Sequence, residues 1–171
     1  MAVTIEEVEA RSEPLVSELT ALLRDVVDAG ASVGFLPPLK TALGETYWRD
    51  VLASLGDGLV LWVARVDGRL AGTVQLAPSG KQNARHRAEL QKLMVMSSHR
   101  GRGVASRLLA TAEARARELG RTLLVLDTLE GSEAEPVYRH LGWQRVGAIP
   151  DFAETPEGLR ATVYYYKKLA A

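Results

Sequence analysis

Cysteine is absent from the 171-residue chain, which removes disulfides, thiolate nucleophiles and Cys-ligated zinc together. Histidine is scarce and scattered, at His86, His99 and His140, so no metal site is expected. Net charge is missing too, because 21 basic and 21 acidic side chains cancel. A protein that coats nucleic acid carries a large positive excess, so any anion site here must be local and no nucleic-acid partner is expected. No stretch approaches the ~20 uninterrupted apolar residues of a membrane-crossing helix. The opening MAVTIEEVEARSEPLVSEL lacks the basic-then-apolar order of a secretion signal. A cytoplasmic location and no membrane partner are the expectation. Neither Gly (15) nor Pro (7) is in the excess that marks disordered or fibrous chains, and the length suits one domain over residues 1–171.

What is present reads as alternating strands and helices. AVTIEEV (2–8) suits a first strand. Ser12 before Glu13-Pro14 is a capped helix start, and Leu15, Val16, Leu19, Leu22, Leu23, Val26 and Val27 recur at helical spacing up to Gly30. The loop AGASVGFLPPL, kept irregular by its paired prolines, carries Phe35 and Leu36, which is unusual for a solvated loop. A second helix over 41–55 sets Tyr47, Trp48, Val51, Leu52 and Leu55 on one side. LVLWVARV (59–66) and RLAGTVQL (69–76) flank Asp67-Gly68, residues that tolerate the positive φ of a type I′ hairpin turn. RAELQKLMV (87–95) reads as an alternating strand, 103–119 as an amphipathic helix stopped by Gly120, and TLLVLDT (122–128) as a strand buried on both faces. A short helix over 134–141 precedes the strands WQRVGAI (143–149) and LRATVYYYKKL (159–169). A helix between the fourth and fifth strands requires a crossover, hence a parallel pair. The fold class expected is mixed α/β, a sheet of about seven strands flanked by about four helices.

SSHRGRGVASRL (97–108) lies between the fourth strand and the helix after it. Such a seam offers unpaired helix N–H groups, a positive dipole end and, through Gly101 and Gly103, close backbone approach by an anion. It is not a Walker loop, and Ser106 occupies the last position of a dinucleotide G-x-G-x-x-G. On its own it reads equally as a phosphate cradle or as a charged turn.

LQKLMVMSSHRGRGVASRLL resembles the acetyl-CoA signature Q/R-x-x-G-x-G/A of the GCN5-related N-acetyltransferases, here Arg100-Gly101-Arg102-Gly103-Val104-Ala105. Tyr138 followed by Leu141-Gly142-Trp143 resembles the family's second signature, and the element order is also similar. GASVGFLPPL, QKLMV, LDT and GAIPDF with ATVYYYK look similar to the tabtoxin-resistance-type members. The resemblance implies a GNAT fold with a splayed parallel fourth and fifth strand. It also implies acetyl-CoA as cosubstrate, its pyrophosphate on the backbone amides of Arg102 to Ala105 and its pantetheine arm along Leu93 and Val95. An N–H near Leu93 or Met94 would then polarise the thioester carbonyl.

Transfer to an alkyl amine, with an ordinary pKa near ~10.4, needs a proton acceptor close by. Glu89 on the fourth strand and Asp127 at the carboxyl end of the fifth are the two candidates, each with an alternative as a solvated or loop-bracing acid. By motif position Tyr138 is the candidate acid for the departing thiolate, a buried structural tyrosine being its alternative. Phe35 and Trp48 are candidate walls of the acceptor site. Seven acids from Asp127 to Glu157 against Arg139 and Arg145 would favour a cationic amine if several line one cleft. The function expected is direct acetyl transfer to a small-molecule amine, a toxin-like amino acid among them, by a monomer or homodimer. The competing readings are protein lysine or N-terminal acetylation, a non-catalytic CoA-sensing module and, motivated by RGRG, a nucleic-acid binder.

Overall fold

The computed structural model describes residues 1–170; the final residue of the expected 1–171 domain lies outside them. Seven strands form one sheet in the order β1-β2-β3-β4-β5-β7-β6. They are β1 (Val3–Glu7), β2 (Val60–Val66), β3 (Arg69–Pro78), β4 (Arg87–Val95), β5 (Leu123–Leu129), β6 (Gln144–Thr155) and β7 (Gly158–Lys168). The helices are α1 (Glu13–Asp28), α2 (Thr41–Ala53), α3 (Val104–Glu118) and α4 (Ala134–His140). All pairs are antiparallel except β4 with β5. The expected mixed α/β class is the observed one.

Local chemistry explains the elements. Ser12 caps α1 by accepting the Leu15 N–H, Pro14 sits in the first turn, and the apolar stripe of α1 is buried from Leu15 to Val27. Asp67 (φ 48) and Gly68 (φ 82) both take the positive φ that a type I′ turn requires, joining β2 to β3. One apolar cluster joins α1 and α2 to Leu61, Val63, Leu70 and Met94 of the sheet. A second joins α3 and Tyr138 of α4 to the opposite face, including Ala88, Leu90, Leu124, Leu126, Val163 and Tyr165. Each such side chain, fully buried, contributes roughly 1.5–3 kcal/mol. Helix α3 lies close to the sheet at Gly72, where a Cβ would stand 2.8 Å from the Met94 carbonyl oxygen and 3.1 Å from Leu108.

Three expectations need correction. The strand over 143–149 runs on to Thr155, with a register break between Ile149 and Ala153 around Pro150, which has no N–H to continue the ladder. Strand β5 is not buried on both faces. Leu124 and Leu126 are buried against the α3 side, whereas Leu123 and Val125 are half-covered and Asp127 is exposed. Strand β4 does not alternate evenly, because Lys92 and Leu93 together oppose the single Val74 between the pairs Thr73↔Met94 and Gln75↔Gln91. This bulge, with Lys92 at φ 52, shifts the side-chain parity. Ala88 and Leu90 before it and Leu93 and Val95 after it all pack on the α3 side.

Candidate active site

Strands β4 and β5 pair over only three rows, Arg87↔Leu123, Ala88↔Leu124 and Glu89↔Val125. Beyond Glu89 they separate, and β5 keeps its partner β7 as far as Leu129↔Thr162. The outer edge of β4 from Leu90 to Val95 therefore faces a cleft of about 1350 Å³, larger than the ~300–1,000 Å³ of ordinary small-molecule pockets. Its lining includes Glu89, Leu93, Met94, Val95, Arg100, Gly101, Gly103, Val104, Ala105, Asp127, Tyr138 and Phe35. Backbone polarity along this edge follows from pairing. The Met96 N–H donates to the Ala71 carbonyl at 2.7 Å, so strand alternation turns Val95, and Leu93 before it, towards the cleft. Met94 pairs with Thr73 on β3, and its side chain is buried in the α1–α2 cluster.

The α3 end of the cleft is an uncapped helix start. Gly103 precedes it in the left-handed region (φ 77), and no side chain caps the first turn. The first intrahelical bond is from the Arg107 N–H to the Gly103 carbonyl, leaving the amides of Val104, Ala105 and Ser106 without an intrahelical partner. Gly101 is also left-handed, at φ 71, and open space surrounds both glycines. The turn is fixed from α1, where the two carboxylate oxygens of Asp25 accept from the Ser97 N–H and hydroxyl, both at 2.7 Å. The two arginines diverge. Arg100 lines the cleft and lies 3.5 Å from Glu133 across its mouth. Arg102 is exposed, points to the Met1 sulfur at 3.9 Å and is not among the lining residues.

At the other end, register sets three side chains on one sheet face. Ala88, Leu124, Leu126 and Tyr165 pack towards α3, so Glu89, Asp127 and Tyr164, which opposes Asp127, face the other way. Tyr138 enters from α4. It is 6% exposed, with its ring 6.0 Å from Trp143 and 5.8 Å from Tyr165. Among the described residues its hydroxyl makes no hydrogen bond, and Tyr138 lines the cleft. Burial pushes its pKa well above the usual tyrosine range, and the Asp127 charge pushes the same way. Its phenol is therefore protonated at neutral pH. Tyr164 is raised by burial, Asp127 and Glu89.

Trp48 lies apart from these residues. It is fully buried in the α1–α2 cluster and absent from the cleft lining, because the helical stripe that carries it faces the core. Phe35 does line the cleft, packed edge-on against Tyr47 at 5.2 Å. Of the seven acids expected to favour a cation, Glu133 and Glu154 join Asp127 in the lining. Glu135 has an internal role instead. It accepts from the Tyr165 hydroxyl and the Gly131 N–H, each at 2.6 Å, and so ties α4 to β7 and to the preceding turn. Burial works to raise its pKa but is outweighed by these two hydrogen bonds and by Arg139 and Arg145, so its carboxyl stays below the usual range. Asp25 and Lys92 carry no signal in the sequence, and Glu135 reads there only as one of the seven acids. A bulge in β4 was the only route to Lys92, and nothing local in the sequence announced it.

The profile of the acetyltransferase (GNAT) family matches residues 23–143. An uncharacterized N-acetyltransferase in the hisH-hisA intergenic region of Azospirillum brasilense is 32% identical over 136 residues, covering 78% of this chain and 80% of that protein. N-acetyltransferase 8 of Rattus norvegicus is 36% identical over 101 residues, 58% of this chain but only 45% of the rat protein. A GCN5-related N-acetyltransferase from Kribbella flavida shares the fold at a TM-score of 0.80 with 22% identity, 98% of each chain being covered. With the splayed β4/β5 pair, the uncapped α3 start and a family match over most of its length, the chain belongs to the GNAT family of N-acetyltransferases.

Proposed function

We propose that the cleft binds acetyl-CoA and passes its acetyl group directly to the amine of a small molecule within a ternary complex. One observation carries this reading. The β4/β5 opening joins an anion-binding helix start at one end to a pair of carboxylates at the other. The partnerless amides from Val104 to Ser106, with Gly101 and Gly103 keeping the backbone bare, suit the pyrophosphate, and Arg100 adds charge beside it. The exposed edge at Val95 and Leu93 suits a pantetheine arm laid beside β4 as an added strand. In this reading the Leu93 N–H is the donor to the thioester carbonyl, since Met94 is in register with β3.

The amine nitrogen attacks the carbonyl carbon, forming the C–N bond as the C–S bond breaks. Asp127 takes the amine proton directly or through water, because it stands on β5 beyond the last row paired with β4 and lines the opened cleft, whereas Glu89 is in that last paired row. Glu89, in the last row before the strands part, adds negative potential that favours a cationic acceptor. Tyr138 gives its phenolic proton to the departing thiolate and is reprotonated from solvent. The acceptor wall is Phe35, seated on Tyr47, with Trp48 in the core behind Tyr47. The resemblance of GASVGFLPPL, QKLMV and LDT to tabtoxin-resistance-type members supports an antibiotic- or toxin-like amino acid as acceptor in this reading, which sets the reaction in the cytoplasm. The test is thiol release from acetyl-CoA across a panel of amino acids, polyamines, aminoglycosides and peptides, with the acetylated product identified by mass. Turnover confined to small amines supports the reading, and turnover confined to peptides or none at all overturns it.

A further inference from the structure

Lys92 is the one β4 residue whose backbone is left-handed, at φ 52, and it sits on the bulge opposite Val74. For a residue with a Cβ that conformation costs about 1–2 kcal/mol, and it persists where the surrounding structure requires it. Its effect is directional. Regular alternation would turn Lys92 towards α3 with Leu90. The bulge instead brings it to the α1–α2 side, with its ammonium 6.0 Å from the centre of the Tyr47 ring. There it stands 3.4 Å from the position a Cβ would take at Gly34, so the glycine (φ 94) leaves room for it. Lys92 lines the cleft with Glu89, Asp127 and Phe35.

The ammonium is half-buried, yet among the described residues it has no hydrogen bond and no carboxylate within salt-bridge distance. Lys167, in contrast, donates to both oxygens of Glu113 and to the Leu141 carbonyl. Burial pulls the Lys92 pKa down, and Asp127 and Glu89 act against this from a distance. A buried cation without a hard partner is unfavourable, and a contact at 6.0 Å is at the outer limit of cation–π reach.

Building on the acetyltransferase reading above, we infer that Lys92 is the anion subsite of the acceptor pocket. It pairs with a carboxylate on the substrate while the substrate's amine lies by Asp127 and Glu89. The site thus presents one cation and two anions to a zwitterion, which selects carboxylated amines such as α-amino acids over simple amines.

The experiment pairs turnover with a direct view of the side chain. Acetyl transfer is measured for L-α-amino acids against the matching decarboxylated amines, in wild type, Lys92→Met and Lys92→Arg. A lost charge-assisted hydrogen bond corresponds to roughly ten- to a hundredfold. The kcat/KM preference for the acids should fall by that factor in Lys92→Met, mainly through KM, and return in part in Lys92→Arg. In parallel, protein labelled at lysine Cε is titrated with N-acetyl-L-amino acids in the presence of CoA, the Lys92 signal being identified by its loss in Lys92→Met. A shift of that signal, larger than with the matching N-acetylamines, supports the subsite. Equal wild-type preference for acids and amines, or a Lys92 signal that carboxylates leave unmoved, overturns it. Absence of turnover with every amine sinks the acetyltransferase reading, whereas the labelled lysine still decides the anion site.

Discussion

Replacing Tyr138 by Phe separates catalysis from folding with little ambiguity, because the ring and the hydroxyl have different surroundings. The ring packs on Trp143 and Tyr165 and is kept in the variant. The hydroxyl gives up no hydrogen bond within the described residues, so stability at neutral pH should fall by less than the roughly 0.5–1.5 kcal/mol of a lost hydrogen bond. A positioned general acid contributes roughly 10²–10⁴ in rate, or about 2.7–5.4 kcal/mol at ~1.36 per tenfold. The assay is thiol release at saturating acetyl-CoA and acceptor, with calorimetry for acetyl-CoA and a thermal melt on the same samples. The expected outcome is kcat down at least a hundredfold with an unchanged acetyl-CoA Kd and Tm. Alkaline pH adds a second check. The folded-state pKa of Tyr138 is raised, so above about pH 10 the unfolded chain loses a proton that the folded chain keeps. Wild type should then lose stability relative to Tyr138→Phe as pH rises past that point, and not below it. A kcat within twofold of wild type would refute the assignment of Tyr138 as the acid.

Four further outcomes follow from the geometry. Gly72→Ala forces a methyl to within 2.8 Å of the Met94 carbonyl oxygen and should cost about 1–3 kcal/mol, read as a Tm drop of roughly 2–12 °C. Arg100→Glu should weaken acetyl-CoA binding about tenfold, since Arg100 lines the cleft and Arg102 does not; calorimetry of Arg102→Glu should show the smaller effect. Trp48→Phe should lower Tm through lost core volume, by about 1–3 kcal/mol, with the acceptor KM unchanged. Lys92→Met should be more stable than wild type at neutral pH, because burial disfavours the charged lysine in the folded state. With the folded pKa below the ordinary 10.5, the unfolded chain holds more protons in that window. The difference between variant and wild type should therefore close as pH rises through it, as melts across pH would show.

Much of the fold is legible because local signals and tertiary packing agree. The Ser12 cap, the α1 stripe and the Asp67-Gly68 turn each name a backbone state that the structure adopts. Strand β4 falls at the bounds read from its sequence, yet its interior differs, because a bulge is set by where α3 and α1 press on the two faces and not by the residues of RAELQKLMV alone. The continuous apolar run before Asp127 suggested two buried faces. One of them opens instead, because α1 and α2 cover the β2–β4 half of the sheet. Tyr47 and Trp48 illustrate the limit of periodicity, which groups residues on a helix side without saying how deep each lies. The seam at 97–108 was legible as an anion cradle from its glycines and helix start, whereas the opposed directions of Arg100 and Arg102 depend on packing against Glu133 and Met1. Glu135 looked like one more surface acid because its partner, Tyr165, is 30 residues away.

The most direct test of the proposed chemistry is the initial-velocity pattern with acetyl-CoA and an accepted amine varied together. Direct transfer across the β4/β5 opening predicts intersecting double-reciprocal lines and no acetylated protein when acetyl-CoA is supplied alone. Parallel lines, with an acetyl group recovered on the chain itself, would contradict it.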